Sequence, residues 1–213
     1  SEPLAHYRRR VLRYLLPTLP SALYFAFQGP LLVWLAAAFG AARTIAEVGA
    51  LGRLGLVVGL FSGLTGVVFL PRLARLADDR LYRRRYLQFG ALLAAVALGL
   101  LAAAWVAPGP FLWLLGESYA GLGRELRLVV AAAGLTLLDG YLVAVNMARS
   151  WTRWQGAAVG GLVAAQAALL ALLPLGTTAG VLRFGVLSAA AALAGQAAIA
   201  WLGFTRPAAV AWE

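Results

Sequence analysis

The chain has no cysteine and no lysine, and it is short of charge altogether. Its basic residues are eighteen arginines against eight acids, and charged residues fill 12% of its 213 positions. Without cysteine there is no disulfide framework, no thiolate metal site and no thiol nucleophile, and the redox compartment leaves no trace. The single histidine, His6, stands in a basic stretch, so no HExxH pattern can form, and no glycine-rich loop ends in Lys-Ser/Thr. A soluble domain carries about 25% charged residues, roughly twice what is found here. The remainder is apolar: 62% of the chain is hydrophobic and the mean hydropathy is +0.83. A soluble core of this size could not hide that much, so the composition points to a membrane protein. The net charge of +10 sits on arginines scattered through short loops between apolar runs, which argues against nucleic acid as a partner.

Residues 1–18 carry Arg8, Arg9, Arg10 and Arg13 interleaved with Tyr7, Val11, Leu12, Tyr14, Leu15 and Leu16, the pattern of an interfacial lead-in ended by Pro17. Six apolar runs follow, at about 19–40, 48–70, 87–107, 128–148, 156–175 and 181–203, with a tail at 204–213. Each is about 20 residues, enough for a helix to cross a hydrocarbon core of roughly 30 Å. The fold class expected is therefore all-α and polytopic, with six transmembrane helices. Gly29-Pro30 falls inside the first run and should kink it. Gly55, Gly59 and Gly63 recur every four residues in the second run, and Gly156 and Gly160 begin a similar small-residue stripe in the fifth. Both stripes are expected to be helix-packing faces.

The most charged stretch is Pro71–Tyr86, PRLARLADDRLYRRRY, which holds Arg72, Arg75, Arg80, Arg83, Arg84 and Arg85 with Asp78 and Asp79. It reads as a loop between the second and third spans, with the two acids ion-paired locally. If spans alternate, one side receives the lead-in, this loop, the Arg149–Gln155 loop and the tail, thirteen arginines in all. The other receives Arg43, Arg53, Arg124, Arg127 and Arg183. The positive-inside rule then puts both termini in the cytoplasm and makes the Pro71 loop the topology anchor, in contact with membrane lipids.

No catalytic constellation is visible, so neither an enzyme nor a cofactor is expected. The chemistry rests on a few polar residues inside the spans. Asp139 is the one acid well inside a span; such a carboxyl is costly unless paired, protonated or facing water, and is a functional candidate by default. It is either a proton or cation site or a neutral acid bonded to a neighbouring helix. Asn146 lies seven residues on, near the same face. Gln28 stands beside the Gly-Pro break, and Arg53 near the start of the second span either snorkels or faces an anionic substrate. Gln166 and Gln196 are expected to be interhelical hydrogen-bonding groups.

Several short stretches recur together in order: Gln28-Gly29-Pro30, Ala38-Phe39-Gly40, Ala50-Leu51-Gly52-Arg53, Phe69-Leu70-Pro71-Arg72-Leu73-Ala74, Ala107-Pro108, Leu114-Leu115-Gly116-Glu117-Ser118-Tyr119 and Leu173-Pro174-Leu175-Gly176. In this order the chain resembles the C-terminal lobe of the polysaccharide and O-antigen flippases of the multidrug/oligosaccharidyl-lipid/polysaccharide exporter superfamily. The resemblance implies one six-helix lobe of a two-lobe transporter that moves lipid-linked oligosaccharide across the bacterial inner membrane by alternating access. It further implies an N-terminal lobe, in the same or another chain, as partner. Ser1 in place of an initiator Met fits a chain that continues upstream. In such relatives, cavity arginines meet the substrate pyrophosphate, and Arg53 lies on the corresponding helix. A drug or small-solute exporter, and a non-transporting scaffold of a glycan-assembly complex, are the alternatives.

Overall fold

The computed structural model describes residues 24, 26–28, 30–64, 79–149, 151 and 153–205. They are all-α. Helix α1 (Pro30–Phe39) is followed by α2 (Ala42–Leu64), α3 (Asp79–Val106), the short α4 (Pro108–Leu115) and a 3-10 turn at Glu117–Tyr119. Three further helices complete the set: α5 (Gly123–Ala148), α6 (Gln155–Leu172) and α7 (Thr178–Thr205). Four of these helices, α3 from Arg80 onward, α5, α6 and α7, are long and apolar enough to cross a membrane. The lead-in, the Gly29 half of the expected break, Arg72, Arg75, Asp78 and most of the tail lie outside the described residues, as does part of each of the first two expected spans.

Hydrocarbon offers no partner to a backbone N–H or carbonyl, so a chain this apolar satisfies its peptide groups within helices. The outer faces bear this out. Leu92, Leu98 and Trp105 on α3, Val163 and Leu172 on α6, and Leu187 and Trp201 on α7 are all exposed, a surface suited to lipid rather than to water.

The fifth helix is the centre of the assembly. It packs against α2, α3, α4 and α7, and its pairing with α7 is the most extensive of all. One core joins Leu35, Ala36, Leu51, Leu126, Val130 and Phe184 from α1, α2, α5 and α7; a second joins Tyr82 and Leu93 of α3 to Leu137, Tyr141 and Val145 of α5. The two ends of the bundle differ in chemistry. At one end Phe204 of α7 meets Tyr86 edge-on at 5.1 Å and Trp151 at 4.9 Å, while the Arg149 guanidinium lies 3.7 Å over the Tyr82 ring. The Tyr141 hydroxyl donates to the Tyr86 carbonyl there at 2.8 Å. At the other end Arg127 lies 4.2 Å from the Trp105 ring. The Glu47 carboxylate accepts from Thr178 at 2.6 Å and from Arg43 at 2.7 Å. Thr177 caps α7, its hydroxyl accepting from the Gly180 N–H at 3.1 Å.

Three expectations need correction. First, the stretch Pro71–Tyr86 is not all loop: from Asp79 it is already α3. Arginine is a good helix former, and Tyr82 and Tyr86, one turn apart, are held under Tyr141 and Phe204, so the helix persists while Arg80, Arg83, Arg84 and Arg85 stay exposed. Its 28 residues span about 42 Å, longer than a hydrocarbon core of roughly 30 Å, so this basic turn overhangs the apolar part. Second, α5 starts at Gly123, so Arg124 and Arg127 belong to its first turns rather than to a loop. Helix α2 begins six residues before the expected span, while α6 and α7 begin and end within three residues of theirs.

Third, Gly156 and Gly160 of the fifth run, and Gly55 of the second, are not at close helix contacts. A methyl group added at Gly156, Gly160 or Gly55 would find no atom within 4 Å, and Gly156 and Gly160 are exposed. Helix α6 buries the face of Gln155, Leu162 and Gln166, and Gly156 and Gly160 lie about 100–140° round the helix from that face. The surroundings of Gly59 and Gly63 lie outside the described residues. Close approach occurs elsewhere, at Gly134 against Ala97 (3.1 Å) and at Gly195 against Ala158 (3.4 Å).

Replacing Gly134 by Leu is therefore expected to lower stability by about 1–3 kcal/mol, the usual cost of overpacking, whereas Gly160→Leu leaves the thermal midpoint in detergent nearly unchanged. A second expectation concerns Glu47, which precedes the apolar run of α2. Burial raises its carboxyl, but the hydrogen bonds from Thr178 and Arg43 outweigh burial and hold it below the ordinary glutamate range. A depressed carboxyl stabilises the fold above the unfolded-state pKa of about 4.3, and the contribution is lost as pH falls through the folded value. The thermal midpoint should drop over that acid window, and Glu47→Gln should flatten the drop.

Candidate functional site

Polar side chains from four segments converge inside the bundle. On α5, Thr136, Asp139 and Val143 share a face by their three- and four-residue spacing, and Phe184, Ser188 and Ala192 do the same on α7. With Gln28 before α1 and Gln166 of α6 they line a cavity of ≈ 540 Å³ whose remaining wall is apolar, including Leu31 and Leu32. That size lies within the range of small-molecule sites. Tyr24 stands beside Gln166 and within electrostatic reach of Asp139.

The hydrogen bonding of this group is incomplete. Asp139, Gln166 and Ser188 are 7%, 7% and 4% exposed, and Asp139 Oδ1, Gln166 Nε2 and Ser188 Oγ have no partner. Thr136 is satisfied, its hydroxyl donating to the Ala132 carbonyl at 2.9 Å. Among the described residues no cation lines the cavity, and the Arg43–Glu47 ion pair is at the end of the bundle. Nor is there, among the described residues, a cluster of three acidic or histidine side chains that could hold a metal ion. The site is one carboxylate in a neutral polar setting.

A second hollow of ≈ 260 Å³ adjoins the first and shares Leu32, Ala132 and Thr136 with it. Its lining is apolar, and Gly52 and Gly55 leave its α2 wall open, which is the local consequence of the glycine spacing in that helix.

Of the residues singled out in the sequence, Gln28 and Asp139 come together in the cavity. Asn146 does not join them. It is buried between α5 and α7, where its Nδ2 donates to Gln196 Oε1 at 3.0 Å and to the Gln196 carbonyl at 3.1 Å. The seven-residue spacing keeps Asn146 on the Asp139 face, but α7 has closed on α5 at that level and the amide serves as a tie. Arg53 is exposed on α2 and lines neither hollow. Gln166, read in the sequence as an interhelical group, also lines the cavity, beside Tyr24 of the first segment. Thr136 and Ser188 are new; the three-residue step from Thr136 to Asp139 was the only sequence signal for either.

Compared with known proteins, the chain matches no family model, no curated protein and no solved structure. The functional reading therefore rests on the cavity itself.

Because the chain contains no cysteine, single thiols report cleanly on access. Asp139→Cys is expected to react with a small water-soluble methanethiosulfonate in detergent or vesicles. Val145→Cys, buried in the α3–α5 core, should stay protected. Equal protection at both positions would mean that the cavity is sealed.

Proposed function

We propose that this chain is one lobe of a transporter that moves a lipid-linked oligosaccharide across a bacterial inner membrane. The observation that carries the reading is the buried, unpartnered Asp139 in a polar cavity among helices that are otherwise apolar. A bundle that served only as a scaffold gains nothing from such a group, since unsatisfied polar atoms in hydrocarbon are costly and intramembrane acids mark transport pathways. The substrate class and the two-lobe architecture come from the resemblance of the sequence to polysaccharide flippases. Six spans, in this reading, are the four long helices together with the two apolar runs to which α1 and α2 belong, and the arginine-rich end faces the cytoplasm. Alternating access between this lobe and a partner lobe moves the polar headgroup while the lipid tail stays in the bilayer. Arg53, on the exposed side of α2, meets the diphosphate only from a surface shared with that second lobe.

In the native host, Asp139→Asn is expected to cut surface polysaccharide to about a tenth of wild type or less, equivalent to the loss of roughly 1.4 kcal/mol of interaction, at normal protein levels. Wild-type output from Asp139→Asn would remove the site from the transport pathway. A lone carboxylate in a largely apolar cavity also suits an organic cation. Restored drug resistance in a pump-deficient host, lost in Asp139→Asn, would favour that second reading.

A further inference from the structure

Three unpaired atoms around the cavity differ in hydrogen-bonding character, and that difference selects a ligand. Asp139 Oδ1 can only accept while the carboxylate is ionised, Gln166 Nε2 can only donate, and Ser188 Oγ can do both. All three side chains are more than nine-tenths buried and line the same space. A phosphate offers acceptors only: it could take the Gln166 and Ser188 hydrogens but would set its charge against Asp139, with no described cation in the lining to offset it. An ammonium group or a metal ion meets Asp139 but leaves the Gln166 N–H facing a cation. A hydroxyl donates and accepts at once. Adjacent hydroxyls on one ring can therefore satisfy an acceptor, a donor and a group that is both, while the apolar wall of Leu31, Leu32 and Phe184 suits the carbon face of the ring.

We propose that the Asp139 cavity is a sugar-binding subsite, in which Asp139, Gln166 and Ser188 hydrogen-bond the hydroxyls of one hexose-sized unit and from which phosphate is excluded. This deepens the transport reading and rests on it: the cavity holds part of the glycan, and the diphosphate of a lipid-linked substrate lies outside it.

The test uses the full chain with one introduced thiol, Ser188→Cys, and the rate of its modification by a small methanethiosulfonate. The probes are the methyl glycosides of glucose, galactose, mannose and N-acetylglucosamine, and inorganic pyrophosphate. At least one glycoside is expected to slow modification by about fivefold, the protection given by a ligand at about four times its Kd. Pyrophosphate should give none, and Asp139→Leu in the same background should abolish the protection. Gln166→Cys serves as a second reporter should Ser188→Cys fold poorly. The proposal is overturned if no glycoside protects either thiol, which would leave the cavity to water. It is also overturned if pyrophosphate protects as well as the best glycoside, or if neither thiol reacts, since a space closed to the reagent is closed to a sugar. Loss of export in Asp139→Asn without glycoside protection sinks this assignment and spares the transport reading. Protection with wild-type export does the reverse.

Discussion

The hydrocarbon core of a bilayer contains no water to share, so each polar group placed there must find its partner inside the protein. That constraint accounts for most of what the described residues do. Peptide groups are absorbed into helices, the α7 N-terminus is capped by Thr177, and the Asn146 amide is spent on Gln196. Glu47, at the head of α2, takes two donors, from Thr178 and Arg43. In the Asp139 cavity three such groups are left unpaired together. Its unpaired carboxylate, amide and hydroxyl face a common space, and the bundle holds that space open instead of closing over it.

How it stays open follows from the packing of α5. Toward its C-terminal end this helix is fixed to α3 and α7 by Tyr141, Val145 and Asn146, and toward its N-terminal end by Leu126 and Val130 in the larger core. Gly134 lets α3 approach closely on another side. Between these anchors the turn before α1, α6 and α7 contribute Gln28, Gln166 and Ser188, none of which is bulky and apolar enough to fill the centre. The basic end of the bundle, with Arg149 stacked on Tyr82 and the α3 arginines exposed, differs in chemistry from the cavity. At 28 residues α3 is longer than a hydrocarbon core of roughly 30 Å is thick, and its exposed arginines stand at its N-terminal end.

Much of this was legible in the sequence because it depends on quantities that add along the chain. Apolar runs of about 20 residues mark helices whatever their neighbours, and the four long helices overlap the expected spans closely. Boundaries were less legible: the start of α3 within Pro71–Tyr86 depends on Tyr82 and Tyr86 finding Tyr141 and Phe204, residues more than fifty positions away. The glycine stripe of the fifth run misled for a related reason. A four-residue spacing shows that Gly156 and Gly160 share a face, but not which face meets a neighbour, and α6 turns Gln155 and Leu162 inward instead.

The sequence by itself determined the class of the molecule, an apolar chain with helices long enough to cross a membrane, and it marked Asp139 as the costly group. Composition and period suffice for these, since each is a property of one segment against its solvent. Only the tertiary structure decided the company Asp139 keeps. It brought in Gln166 and Ser188, removed Asn146 to a tie between helices, and left Arg53 outside. A helix repeats its faces every few residues, and in a chain so rich in alanine, leucine and glycine many rotations are nearly equal in apolar content. The choice among them is made by contacts between helices, which no single segment encodes.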